Sequence, residues 1–388
     1  MPITYNWSRS DQLPVKSWCR EPEEGAIDQA ANLASLPFAF KHISLMPDVH
    51  KGYGMPIGSV LATNGVVVPN AVGVDIGCGM AAMKFNITSI TKPMLETILG
   101  DIRKAIPIIH RSEATSYAEL MLEPFEDTPV YAREYKAAKL QIGTLGGGNH
   151  FIEIQQDPGA GNIWVMLHSG SRHLGHAVAT HYDSVACENN KLWYSTVPAE
   201  HELAFLPQSS DEYCSYMAEM ELCIAYAKLN RLAMTMQIFD VFTEHTGCQL
   251  ECTHDVAHNY ARMENHFGHN VIVHRKGAIS ARKDELGIIP GSQGTCSFIV
   301  KGLGNRESFN SCSHGAGRVM GRRKAAASLN LAAEIKRMDD RGILHGIRSV
   351  EDLDEAPGAY KDIHVVMAEQ ADLVEIVTEL EPLAVIKG

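Results

Sequence analysis

Gly73-Val74-Asp75-Ile76-Gly77-Cys78-Gly79-Met80 places a carboxylate and a thiol three residues apart on a glycine-broken turn. Glycine accepts positive φ, so a backbone carrying Gly77 and Gly79 can fold tightly enough to aim both side chains at one point. Apolar runs stand on either side. Gly58-Ser59-Val60-Leu61-Ala62 and Val66-Val67-Val68-Pro69 read as strands around a Thr63-Asn64-Gly65 turn, a hairpin signal, and residues 80–88 read as a further strand. The octapeptide is thus a strand-to-strand connection in a β-rich region. A hard oxygen ligand beside a soft sulfur suits a borderline divalent metal, and a thiolate can bridge two ions. The competing reading is a buried thiol and a strand-end Asp that serve packing alone.

Outward from this stretch, strand and helix patterns alternate to both ends of the 388 residues with no Pro/Ser-rich linker. Helical periods run over Ile27–Ala34, Thr91–Ile106, Leu174 to about Asn189, and Asp211 to about Thr246. The Met, Leu and Ala of the last of these, among them Met220, Leu229, Leu232 and Met236, read as core packing. The expected fold is therefore one large α+β domain. The composition, 45% hydrophobic and 21% charged, is enough for a sizeable core. No run of about eighteen apolar residues suggests a membrane span. The first residues, Met1 to Trp7, show no basic segment leading into an apolar one, so no signal peptide is expected. Nine cysteines in irregular spacing, with no CxxC, fit a reducing cytoplasm better than a disulfide framework. A net charge of −12 argues against coating nucleic acid by bulk attraction. It leaves room for a nucleic-acid enzyme whose metal or Arg cluster reverses the field locally.

Several stretches repeat the pairing of His with small residues. Met46-Pro47-Asp48-Val49-His50 follows an apolar run and reads equally as a functional loop after a strand or as a turn capped by Asp48. Gly146-Gly147-Gly148-Asn149-His150-Phe151-Ile152-Glu153 offers an anion nest, or simply a glycine turn, leading into a strand. Leu167-His168-Ser169-Gly170-Ser171-Arg172 ends a buried-type strand in a His, and Arg172 carries a planar fork suited to a phosphate. Cys252-Thr253-His254-Asp255-Val256-Ala257-His258 spaces two His by four, which on a helix would share one face. Pro290-Gly291-Ser292-Gln293 is another glycine loop. In Ser313-His314-Gly315-Ala316-Gly317-Arg318 a His sits among small residues, followed by Arg322, Arg323 and Lys324 at a helix start. Positive charge there opposes the helix dipole and calls for an anion.

Asp75, Cys78, His150, His168 and His258 exceed what one tetrahedral ion takes. They fit two divalent ions sharing the thiolate, an arrangement that can clamp a phosphate. His314 is left over, and a neutral imidazole can attack phosphorus. The residues themselves lead as far as two-metal phosphoryl or nucleotidyl transfer.

These blocks, in this order and from about residue 10 to Gly388, resemble the signature blocks of the RtcB RNA ligases. The resemblance implies a single RtcB-like α/β (α+β) domain over residues 1–388, with a central β core surrounded by helices. It implies two Mn²⁺ ions bridged by Cys78, with Asp75 and His150 completing one shell and His168 and His258 the other. His314 would attack GTP and carry a guanylyl-histidine. Asn149, Phe151, Glu153, Pro290, Gly291, Ser292, Gln293, Ala316, Gly317, Tyr360 and Lys387 match positions that hold the guanine nucleotide, and Arg172 and Arg318 would hold RNA or nucleotide phosphates. The implied reaction joins an RNA 2′,3′-cyclic phosphate or 3′-phosphate to a 5′-hydroxyl through an RNA-3′-pp-5′-G intermediate, in RNA repair or tRNA splicing, with or without an accessory protein. The alternative is a two-metal phosphoesterase that only opens cyclic phosphates. The sequence departs from the family in a short 108–140 connection, in Gln293 where Met is usual, and in a loosely matching 321–356 region.

Overall fold

The computed structural model describes residues 2–5 and 12–388. Met1, Asn6 and Trp7, part of the stretch read for a signal peptide, lie outside them.

Two sheets carry the architecture, the first mixed through one parallel pair and the second antiparallel throughout. The first has six strands in the spatial order Ile3–Tyr5, Val15–Ser17, Ala39–His50, Ile57–Thr63, His269–Lys276 and Asn259–His266. The second has seven, in the order Leu250–Ala257, Gly79–Phe85, Ile163–Ser169, Phe151–Gln156, Val374–Lys387, Ser297–Gly302 and Leu286–Ile289. The helix Glu24–Ala34 buries Ala26, Ala30 and Leu33 with Ile43, Leu45 and Leu61 of the first sheet. Met46, Val60, Val271 and Val273 of that sheet share another cluster with Phe298, Val300 and Val374 of the second. The helix Lys92–Ala105 buries Leu95, Ile98, Leu99 and Ile102 with Met83, Val165, Ile152 and Ile386 of the second sheet. That spacing is one face of a 3.6-residue period. Strand cores with helices outside form a mixed α/β fold, as expected.

The helix Asp211–Thr246 has 36 residues and is about 54 Å long. Its ends follow from sequence. Ser210 accepts from the Tyr213 amide at its start, and Gly247, at φ +67°, closes its end. Thr91 stands at the N-cap of Lys92–Ala105, with Pro93 in the first turn, though its side chain makes no capping bond.

Three local expectations are corrected. The 58–62 and 66–69 segments do not form a hairpin. Ile57–Thr63 pairs on one edge with Ala39–His50 and on the other with His269–Lys276, so neither edge is left, and Val66–Val67 pairs instead with Leu206–Pro207. Pro47 does not end its strand. Ala39–His50 runs through it, because the register shifts between Leu45 and His50 and such an irregularity tolerates a residue without N–H. His254 and His258 do not share a helix face. Leu250–Ala257 is a strand of the second sheet and Asn259–His266 a strand of the first, with His258 at the crossing point between them. Exposed Glu251, Thr253 and Asp255 alternate with better covered neighbours, a period of two that competes with the helical spacing.

Candidate metal centre and nucleotide pocket

The metal-type ligands converge where strand ends of the second sheet meet the His258 crossing. Gly79 and Met80 pair with Ser169 and His168, and Phe151 pairs with His168 from the other side. Strand register alone therefore sets Cys78, His168 and His150 side by side. Three backbone bonds add the rest: Gly77 N–H to Asn259 O at 2.9 Å, His258 N–H to Cys78 O at 2.9 Å, and Cys78 N–H to Asp75 O at 3.2 Å. The Asn259 amide also donates to Asp75 O at 3.0 Å. Gly77 is at φ +74°, and a Cβ there would lie 2.9 Å from Ile224 Cα of the long helix. Only glycine fits that turn against that helix.

Cys78 Sγ lies 3.2 Å from His168 Nε2 and 3.5 Å from His150 Nε2. His150 Nε2 is 3.3 Å from Asp75 Oδ2, and His168 Nε2 is 3.4 Å from His258 Nε2. Two donor sets result, Cys78–His168–His258 and Asp75–Cys78–His150, each with donor atoms within 4.8 Å of one another and sharing the thiol. A tetrahedral ion at about 2.1 Å from nitrogen spaces its donors about 3.4 Å apart, close to these separations. His168 Nδ1–H donates to Asn149 O at 3.0 Å, so a neutral ring turns the lone pair of Nε2 inward. A lone pair facing another imidazole nitrogen in a buried site wants a cation between them. The residues fit divalent metal.

The electrostatics agree. Burial, then the neighbouring His150, holds His168 well below the usual imidazole range, and burial with His314 and His168 does the same to His258. Burial pushes the Asp75 carboxyl up, but its contacts with His150 and Cys78 outweigh this and leave it below the ordinary value. Burial and the Asp75 charge push the Cys78 thiol well up. Neutral imidazoles and a carboxylate are ready ligands, and a bound cation would reverse the burden on the thiol.

Arg172 closes one side. Its guanidinium lies 3.4 Å from His150 Nδ1 and donates to Thr144 Oγ1 and Ile108 O, both at 3.3 Å. A Cβ at Gly146 would meet Arg172 Nη1 at 1.9 Å, so this glycine is there for close approach.

His314 stands on the other side, its ring 4.8 Å from that of His258. Its Nδ1–H donates to Asp48 Oδ2 at 2.6 Å, and its backbone N–H donates to the same oxygen at 3.1 Å. Asp48 is fully buried. Burial pushes its carboxyl up, but the His314 and Lys361 charges and the His314 bond pull it below the usual range. Asp48, read in the sequence as a loop or turn residue, is thus the partner of His314. Gly317 packs on it: a Cβ there would lie 2.2 Å from Asp48 O.

Several of the remaining expected residues border the same region. Phe151 and Glu153 pair in register with Lys387 and Val385 of the last strand, and Lys387 Nζ lies 5.7 Å from the Phe151 ring. Lys387, frayed by any rule of thumb about termini, is held in a sheet. Burial pushes Glu153 up to about 8, against its bond from Gln155 and the Lys387 charge. Pro290 lies against Gly315, and Gln293 is buried and donates to Glu355 O at 2.7 Å. Glu355 gathers the cations. It accepts from Arg318 at 3.0 Å, from Arg322 at 2.8 Å and from the Tyr360 hydroxyl, with Lys387 at 3.9 Å. The anion expected at the 322–324 helix start is, in part, the protein's own carboxylate. Arg318 also donates to Met320 O and Asp354 O, so its fork faces inward. His254 stands apart from the centre, 3.7 Å from Cys252 Sγ.

The pair that sequence reasoning missed is Asn230-Arg231, in the middle of the long helix. Asn230 Oδ1 accepts from the Gly143 and Thr144 amides, and its amide donates to Thr144 O, Ser169 Oγ and Gly170 O. Arg231 Nη1 donates to Gly77 O and Ser169 O, both at 3.0 Å, and its other nitrogens pair with Asp255 at 2.7 and 2.8 Å. Both are buried, whereas the expected core residue Leu232 is 45% exposed. The signal was there: an Asn-Arg pair interrupting an apolar helix.

A family model described as tRNA-splicing ligase RtcB matches residues 29–124 and 113–388. The chain belongs to the RtcB family. Among RtcB relatives, the RNA-splicing ligase RtcB of Escherichia coli K12 is 38% identical over 417 residues, covering 100% of both chains. The RNA-splicing ligase RtcB of Mycobacterium bovis is 32% identical, over 93% of this chain and 100% of its own. The tRNA-splicing ligase RtcB of Thermococcus kodakarensis is 30% identical, over 94% and 92%. RtcB membership thus covers every strand end that contributes to the centre.

Proposed function

We propose that this chain is a GTP- and Mn²⁺-dependent RNA ligase that joins RNA 2′,3′-cyclic phosphate or 3′-phosphate ends to 5′-hydroxyl ends, with residues 1–388 acting as one catalytic unit. The observation that carries the reading is His314, anchored at Nδ1 by buried Asp48 and set beside a two-set donor cluster. The names of the RtcB relatives support the substrate class.

Asp48 takes the Nδ1–H of His314 and so leaves the lone pair on Nε2. Nε2 attacks the α-phosphorus of GTP; the N–P bond forms as the P–O bond to pyrophosphate breaks. An oxygen of the RNA 3′-phosphate then attacks the same phosphorus, and the N–P bond breaks to give RNA-3′-pp-5′-G. The 5′-hydroxyl oxygen attacks the RNA phosphorus and gives its proton to solvent; the new P–O bond forms as the bond to the bridging oxygen breaks and GMP leaves. Where the end is a cyclic phosphate, water first opens it to the 3′-phosphate. Asp75, Cys78 and His150 would hold one Mn²⁺, and Cys78, His168 and His258 the other. Bound metal supplies Lewis-acid polarisation of phosphoryl oxygens and a hydroxide near neutral pH. Asn149, Phe151, Glu153, the 290–293 loop, Ala316, Gly317, Tyr360 and Lys387 seat the guanine nucleotide, and Arg172 faces phosphate beside His150. RNA is the partner, with or without an accessory protein. Nine free cysteines fit a cytoplasmic setting, and among the described residues no helix is long and apolar enough to cross a membrane.

An RNA carrying a 5′-hydroxyl and a labelled 2′,3′-cyclic phosphate tests this. Joining that requires both GTP and Mn²⁺ is expected. Opening of the cyclic phosphate without joining, and without need of GTP, would establish the phosphoesterase reading instead.

A further inference from the structure

A second cluster of ligand-type side chains shares no residue with the centre above. Cys296, His364 and Glu379 bring a thiol, an imidazole and a carboxylate together, with donor atoms within 4.8 Å of one another. They come from distant parts of the chain and the fold explains their meeting. Cys296 directly precedes the strand Ser297–Gly302, whose Phe298 is the register partner of Glu379 on Val374–Lys387. The Phe298 ring meets the His364 ring edge-on, with centroids 6.0 Å apart. Cys296 and Phe298 share an apolar cluster with Ile363, Val366 and Met367 of the helix that carries His364. The thiol is buried, the carboxylate half-buried and the imidazole exposed. A cation entering from solvent would meet the exposed imidazole first, with the carboxylate and the buried thiol beneath it.

We propose that Cys296, His364 and Glu379 form a binding site for one zinc-class divalent cation, distinct from the centre around Cys78. One sulfur, one nitrogen and one oxygen donor suit a borderline-soft ion with tetrahedral preference, with water at the fourth position. Binding deprotonates the thiol: the S–H proton goes to solvent as the S–metal bond forms. Arg341 lies against the same thiol, with its Nη1 donating to Gly294 O at 2.7 Å. Burial and the Glu379 carboxylate push this thiol up to about 11 against the opposing Arg341 charge, so the ion itself must displace the thiol proton. The site ties two segments together. Cys296 ends the loop that begins at Pro290, and Gly291 packs directly on Cys296 O. An ion held here links that loop to the helix Ile363–Glu369.

Co²⁺ is the probe, because a cobalt–thiolate bond absorbs in the near ultraviolet, and Zn²⁺ is the competitor. Cys78→Ala removes the thiolate of the other centre. The Cys78→Ala protein is expected to take up one equivalent of Co²⁺ with a thiolate band. Zn²⁺ should abolish that band, and so should a further Cys296→Ser or His364→Ala change. The same two changes made singly in the parent chain should each lower bound Zn²⁺ by one equivalent. His364 is exposed, so its replacement leaves the fold intact even if buried Cys296 does not tolerate Ser. No thiolate band in Cys78→Ala together with unchanged Zn²⁺ in the single variants, or a band that survives both further changes, overturns the proposal. Neither result touches the RNA reaction, which uses none of these three residues.

Discussion

His314 illustrates how one contact can set a residue's role. Its Nδ1 is fixed at 2.6 Å from Asp48, and its backbone N–H is bound to the same oxygen. Asp48→Asn removes the charge that selects the tautomer and should slow guanylyl transfer to His314 by roughly 10²-fold or more. Single-turnover kinetics with labelled GTP would measure this, and an unchanged rate would remove Asp48 from the mechanism. Glu153 carries a pH prediction. Its folded value is about 8 against 4.5 for an open chain. The folded state therefore holds a proton that the unfolded state has released between these values, so this group lowers stability as pH rises from about 4.5 to about 8. Glu153→Gln should remove that slope, worth a few kcal/mol at most, and flatten the melting temperature over this window. The candidate ligands and His314 were legible as residues because most stand beside glycines or serines. The Asp48 partnership was not, because it joins positions 266 apart in sequence, and neither local pattern points to the other.

At the scale of elements, the long helix does more than pack. Its boundaries were readable from Asp211 to Thr246, and Met220 and Leu229 pack in the core as expected, but Leu232 faces solvent and the buried Asn230 and Arg231 were not anticipated. Apolar periodicity finds the face that avoids water. It cannot find a polar pair buried because it satisfies loop carbonyls. Arg231 pins Gly77 O and Ser169 O, next to Cys78 and His168. Arg231→Met leaves those carbonyls and Asp255 without their donor, and should weaken Mn²⁺ binding about 10- to 100-fold with a loss of several kcal/mol in stability. Titration calorimetry and thermal melts would report both. Normal metal affinity in a destabilised variant would make the role purely structural. His254 shows the opposite failure. Two His at four-residue spacing suggested a helix, but the chain there changes sheets, and only His258 reaches the centre.

Over the whole molecule, the class and its strand-and-helix makeup were visible in the alternation of periods. Sheet order was not, because five of the eleven neighbouring pairs, four of them in the second sheet, join strands that are not consecutive in the chain. The missed hairpin has a related origin: the preceding strand Ala39–His50 claimed one edge of Ile57–Thr63 and the distant His269–Lys276 claimed the other. Metal should act on the molecule as a unit, since the donor sets tie both sheets together through His258. Cys78→Ala should lose both ions and His258→Ala should weaken one. Metal analysis of the two variants checks this, and unchanged stoichiometry in Cys78→Ala would count against a shared thiolate. Saturation with Mn²⁺ at a hundredfold excess over Kd should stabilise the fold by about 2.7 kcal/mol per site, and a chelator should reverse the shift. The proposed ligase reaction rests on a guanylyl group carried covalently by His314. Intact-protein mass spectrometry after incubation with GTP and Mn²⁺, followed by peptide mapping, tests it most directly. One added guanylyl group is expected, located on His314 and absent from His314→Ala. No adduct, or an adduct mapped to a lysine, would contradict it.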